Sequence, residues 1–204
     1  MSVLQHYDQV VSLGRGCQPA HQIRRILQSS SANIFDWIVT TDQGLVAHIE
    51  SELEGFFERH NLETGTEGFI VDRATGTQFQ HEFPKNTNFD TQYESSRGRF
   101  AMLVQRWRDL LASEQAVLFV RQHGWDGDVR ASAVRLRETI KRRAPHLHFM
   151  LLYLTKDAAD AWGEPQILNR HLIQPNPYDW KGDDDAWARL MAEALALPPS
   201  SPVR

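Results

Sequence analysis

The chain has 204 residues, 41% of them hydrophobic and 24% charged, a composition that suits one soluble domain with a full core. Its net charge of −4 offers no basic field to nucleic acid, and its single cysteine excludes an intrachain disulfide and a cysteine-rich zinc site. No apolar run nears the roughly 20 residues that span a bilayer, and the opening MSVLQHYDQ lacks the features of a secretory signal, so a cytoplasmic location is expected.

The first element is the short apolar run QVVSL, which reads as a strand covered on both faces. Gly14 and Gly16 then permit a tight turn, and Pro19 suits the first turn of a helix whose apolar stripe is Ala20, Ile23 and Leu27. Cys17 falls at that helix start, where free N–H groups favour a thiolate and lower the thiol pKa from about 8.5. Leu45, Ile49, Leu53 and Phe56 mark a second helix. The stretch FIVDRATGTQFQHEF reads as a hairpin, and its alternation puts His81 on the apolar face with Phe79 and Phe83.

Phe100, Leu103, Trp107 and Leu111 have helical spacing. AVLFVR and HFMLLYL are further buried strands, and between them Val129, Ala133, Leu136 and Ile140 form a helical stripe, which makes a βαβ unit. A last helix carries Trp187, Leu190, Met191 and Ala194, with the aspartates of WKGDDDAW as its cap rather than metal ligands. The fold expected is three-layer α/β: a mostly parallel sheet, helices on both faces and an inserted antiparallel β-hairpin. It occupies residues 1–197 as one domain, and 198–204 form a flexible tail.

Taken in order, VVSLGRGCQPAHQIRR, FDWI, FQHEF, RGRF and VLFVR resemble a bacterial family described as putative papain-like cysteine peptidases. The resemblance implies a cysteine nucleophile with a histidine partner, which map onto Cys17 and His81. In papain itself the cysteine lies on a long helix facing a β-domain, whereas here it follows a sheet strand, so the likeness concerns residues more than fold. A cysteine hydrolase needs a base within hydrogen-bond reach of the thiol. His123, at the end of a strand, is the rival base, and His21 a weaker one. Asp36, among large apolar residues, is the candidate third member of a triad.

Gly14, Arg97, Arg121 and His123 are the candidate substrate-binding residues, and Arg99 adds positive charge. Arg121 ends a buried strand, so its guanidinium should emerge where Cys17 does, there either to hold an anionic group or to pair with a local carboxylate. Cys17 would attack a carbonyl, His81 act as base and acid, and N–H groups at the helix start stabilise the oxyanion. The substrate expected is a peptide or another acyl compound, open to an anionic group, with no cofactor, metal, nucleic acid or membrane. The same residues also fit a second class: a non-catalytic binding module, or a glycan- or nucleotide-linked transferase, holding an anionic ligand at the strand ends.

Overall fold

The computed structural model describes residues 6–65, 68–83, 88–124, 127–157, 160–176 and 178–199; of the expected tail, residues 200–204 lie outside them. The elements are β1 (Gln9–Ser12), α1 (Gln18–Leu27), α2 (Asp42–Glu50), β2 (Leu62–Thr64), β3 (Ile70–Asp72) and α3 (Phe89–Leu111). They continue as β4 (Ala116–Gln122), α4 (Val129–Arg143), β5 (His148–Thr155), β6 (Ile167–His171) and α5 (Asp184–Ala196). β1, β4, β5 and β6 form one sheet in that order, every neighbouring pair parallel. β2 and β3 form a separate antiparallel pair.

Side chains of a strand alternate between faces, and the two cores follow that alternation. Val11, Val117, Phe119, Leu151 and Tyr153 pack with the apolar stripes of α2, α3 and α4. Val10, Leu118, Val120, Leu152 and Leu154 pack with Ile23 of α1 and with Trp187 and Met191 of α5. Helices therefore cover both faces, as expected of buried parallel strands. The cap of α5 is Asp183, whose carboxylate accepts from the Ala186 N–H at 2.7 Å.

Two expectations are corrected, and one strand is added. The second helix stops at Glu50, and Leu53 and Phe56 reach the core from the turns that follow. Strand β6, with its polar sequence ILNRH, carries too weak an apolar signal to be read from the chain. The hairpin is also displaced: β3 pairs with β2 upstream, while the returning segment keeps only bridges from Gln78 to Val71 and Val39. Asp72 tightens the intervening turn by accepting from the Ala74 and Thr75 N–H groups at 3.0 and 2.9 Å.

Beyond Gln78 the backbone coils instead of extending, and the Phe83 N–H bonds the Phe79 carbonyl at 3.3 Å. A four-residue turn puts Phe79 and Phe83 on one face and the residue midway between them on the other. Phe79 and Phe83 are accordingly buried against Phe57, and His81 is exposed rather than held between them.

Candidate active site

The Leu13 N–H bonds Val120 O at 2.9 Å, and the chain then turns through Gly14 and Arg15, at φ +73° and +82°. Gly14 has to be glycine: a Cβ there would lie 3.0 Å from Phe35 O and 3.3 Å from Thr40 Oγ1, in a conformation L residues rarely adopt. Gly16 meets nothing within 4 Å. Cys17 is the N-cap of α1, and Pro19 lies in the first turn. Among the described residues the Cys17 and Gln18 N–H groups have no acceptor, as at most helix starts.

His81 arrives from the other direction. Val39 and Gln78 exchange N–H···O bonds of 3.0 and 2.9 Å, which fixes the segment three residues before it. Cys17 Sγ and His81 Nε2 share a hydrogen bond of 2.8 Å, and the edge of Trp37 packs against the imidazole with ring centroids 5.5 Å apart. Both residues line a cleft of about 550 Å³, together with Arg15, Gln122, Lys156 and Trp180. Burial pushes the Cys17 thiol up to about 11. Burial also lowers the Lys156 ammonium pKa, with the nearby charge of Arg15 adding to it.

Asp36 does not meet His81. Its buried carboxylate accepts from Arg24 Nη2 and the Asn33 N–H, each at 2.9 Å. Desolvation raises its pKa, and the Asn33 and Arg24 contacts oppose the rise. Asp36 instead lines a separate cleft of about 690 Å³ with Arg24 and Arg106. That cleft is larger, but its carboxylates bond Arg24 and the Asn33 and Ala116 N–H groups rather than any of its serines, whereas the smaller cleft pairs a thiol with an imidazole. Asp36 reaches the site only indirectly: the Arg24 guanidinium it holds lies 5.1 Å from the centre of the Trp37 ring.

The substrate-binding expectations fare differently. Arg121 is fully buried: Nε donates to Asp42 Oδ1, and Nη1 to Leu13 O and Thr40 Oγ1, each at 2.8 Å. Its Nη2 donates to Thr40 O at 2.9 Å, so the guanidinium binds the protein's own groups, the Asp42 carboxylate among them, and not a ligand in the cleft. His123 is buried too, its Nδ1 2.9 Å from both Asp42 Oδ2 and Tyr153 OH. It stands in this cluster rather than beside the thiol. Arg97 is exposed on α3 and pairs with Glu94 at 3.5 Å, and Arg99 pairs with Glu82. His21 packs against Trp180 with ring centroids 5.1 Å apart.

Strand parity explains the error at Arg121. Residues 117, 119 and 121 point to the face of α2 and α4, whereas 118, 120 and 122 point to the face of α1. Cys17 opens α1, so Gln122 reaches the cleft and Arg121 does not. The residues missed by sequence reading include Arg15, Trp180, Gln122, Lys156 and Gln174, and the last three end or follow strands at the same end of the sheet. Ligands bind beyond these carboxyl ends of the strands in parallel α/β sheets. Among the described residues no group of three or more His, Cys, Asp or Glu is placed to hold a metal ion, and no helix is long and apolar enough to cross a membrane.

Comparison with known families gives a match to the model described as "Putative papain-like cysteine peptidase (DUF1796)" over residues 8–159. Cys17 and His81 both lie within it. A mimivirus protein, "Uncharacterized protein R408" of Acanthamoeba polyphaga mimivirus, is 24% identical over 133 residues, covering 54% of this chain and 60% of that protein. The chain thus spans about three fifths of the length of the curated relative it matches. The relative is viral, so the bacterial setting expected from the sequence gains no support from it. No solved structure matches the chain.

Proposed function

The chain belongs to the family described as "Putative papain-like cysteine peptidase", and from that premise we propose that it is a cysteine-dependent hydrolase or acyl transferase. The observation that carries the reading is the 2.8 Å contact between Cys17 Sγ and His81 Nε2, made in a cleft large enough for a substrate. A nucleophile and a base within hydrogen-bond reach are what acyl transfer requires. Since burial holds the thiol neutral at rest, the proton moves to His81 as sulfur attacks the carbonyl carbon.

In this mechanism the C–S bond forms while the carbonyl π pair moves to oxygen, where the Cys17 and Gln18 N–H groups donate to the oxyanion. Collapse expels the leaving group, which takes the proton from His81, and a thioester remains. Water then attacks the thioester with His81 as base, and the acid and the free thiol are restored. In a transferase an amine or alcohol takes the place of water. Arg15 and Lys156 in the cleft wall favour an acyl substrate bearing an anionic group. A free thiol of this kind suits a reducing compartment such as the cytoplasm.

A panel of anionic and neutral peptides, thioesters and esters tests the proposal, with products followed by mass spectrometry. Cys17→Ala should abolish turnover and covalent acyl-enzyme. His81→Ala should lower turnover by roughly 10² to 10⁴. Turnover that survives Cys17→Ala would refute the mechanism. Ligand binding without acylation of Cys17 by any member of the panel would favour a non-catalytic module.

A further inference from the structure

One wall of the cleft comes from the segment between β6 and α5, outside the residues 8–159 that the family model matches. Ile173, Tyr178 and Trp180 lie on it, three of the five large hydrophobic side chains left exposed among the described residues. Of these three, Trp180 alone lines the cleft with Cys17. Trp180 is 52% exposed, and its ring meets that of His21 in a T-shaped contact.

The backbone beneath that ring is firmly anchored. Gln18, the residue after Cys17, is buried and donates from Nε2 to Trp180 O at 3.2 Å and to Gln174 Oε1 at 3.4 Å. Its Oε1 accepts from Gln122 Nε2 at 3.1 Å. Gln22, one turn on and fully buried, donates to Lys181 O at 2.7 Å and to Asp184 Oδ1 at 2.8 Å. Gly182 packs so closely that a Cβ there would come within 2.7 Å of the Gln18 amide. Helix α1 therefore starts at the nucleophile and carries the anchors of the Trp180 segment, so the backbone that bears the indole is tied to the same element as the thiol. Buried amide bonds hold the backbone in place while a large apolar ring stays open to a cleft. That combination fits a ring which receives a ligand.

We propose that Trp180 is the specificity-determining platform of this site: it receives a flat or bulky apolar group of the acyl substrate, an aromatic or large aliphatic side chain beside the scissile carbonyl. The proposal rests on the reading of Cys17 as nucleophile and assigns that site its substrate class.

The test compares alkylation of Cys17 by chloroacetamide and by N-benzylchloroacetamide, each rate divided by that for glutathione. The parent should prefer the benzyl reagent, and Trp180→Ala should cut the preference by about tenfold. Tyr178→Ala, on the same segment but 93% exposed and outside the cleft, should leave it unchanged. In parallel, binding of N-benzylacetamide to the Cys17→Ala chain is read by ligand-observed NMR, which needs no thiol chemistry. Contacts that disappear in Cys17→Ala/Trp180→Ala support the platform, and contacts that persist overturn it, as does a benzyl preference that Trp180→Ala does not change. Inert Cys17 together with Trp180-dependent binding would sink the hydrolase reading and leave the platform standing.

Discussion

Two influences of opposite sign meet at Cys17. The helix start favours the thiolate by roughly 0.3–1 kcal/mol, less than one pKa unit. Burial pushes the thiol from 9.0 up to about 11 and therefore wins. The acidified thiol expected from position alone is replaced by a neutral thiol hydrogen-bonded to an imidazole. This gives a pH signature. Alkylation by iodoacetamide should show a neutral-pH limb, in which His81 takes the proton, and a second rise toward pH 11, in which hydroxide does. His81→Ala should remove the first limb and keep the second, whereas His123→Ala should keep both. A neutral limb that persists in His81→Ala would exclude His81 as the base. The lone cysteine was legible because a glycine turn, a strand end and a proline converge on it. His81 was legible as a residue but not in its placement, since alternation assumed a strand where the chain makes a turn. Asp36 misled because a carboxylate among apolar neighbours signals only that it has a partner, and that partner is Arg24.

The elements that carry the site meet at the β1–α1 turn. Arg121 grips Leu13 O just before this turn, and Thr40 beside it, and Thr40 Oγ1 in turn accepts from the Arg15 N–H at 3.4 Å. Val39 next to Thr40 then pairs with Gln78 on the way to His81. One buried guanidinium thus braces the turn that presents the nucleophile and the strand segment that leads to the base. The two glycines of that turn are not equivalent. Gly14→Ala should cost about 1–3 kcal/mol, from the positive φ and the contact with Phe35 O, and should slow alkylation of Cys17. Gly16→Ala should leave both the melting temperature and the alkylation rate near those of the parent. Equal losses in the two variants would refute this division of roles. The sequence displayed two glycines and a strand-terminal arginine. It could not show which glycine lies against a carbonyl, or that an odd position on β4 turns Arg121 away from the cleft, because both depend on packing between distant segments.

At the scale of the whole molecule, the sheet and its two helical layers were legible from buried apolar runs and amphipathic stripes. The smaller β2–β3 unit was misread because its pairing depends on a turn closed by polar side chains. That turn also couples the fold to pH through His48 of α2. His48 is buried against the Phe35 and Phe56 rings, with Nε2 2.8 Å from Thr77 Oγ1 and 3.1 Å from Thr75 Oγ1. Burial lowers its pKa from 6.5 to about 4, with the charge of Asp72 opposing the shift. The unfolded chain therefore binds a proton between pH 6.5 and 4 that the folded chain refuses. Stability is fully present above pH 6.5 and is lost as the pH falls toward 4, by on the order of 3 kcal/mol for this one group. His48→Gln retains an amide able to bond the threonines but cannot titrate, so its melting temperature should fall less than that of the parent over the same interval. Parallel curves for the two proteins from pH 7 to pH 4 would show that His48 does not control the acid response. Thr77 is followed directly by Gln78, the residue that pairs with Val39 and leads to His81. The loosening that destabilises the fold in acid should therefore also withdraw the base, and loss of Cys17 reactivity should begin in the same pH interval.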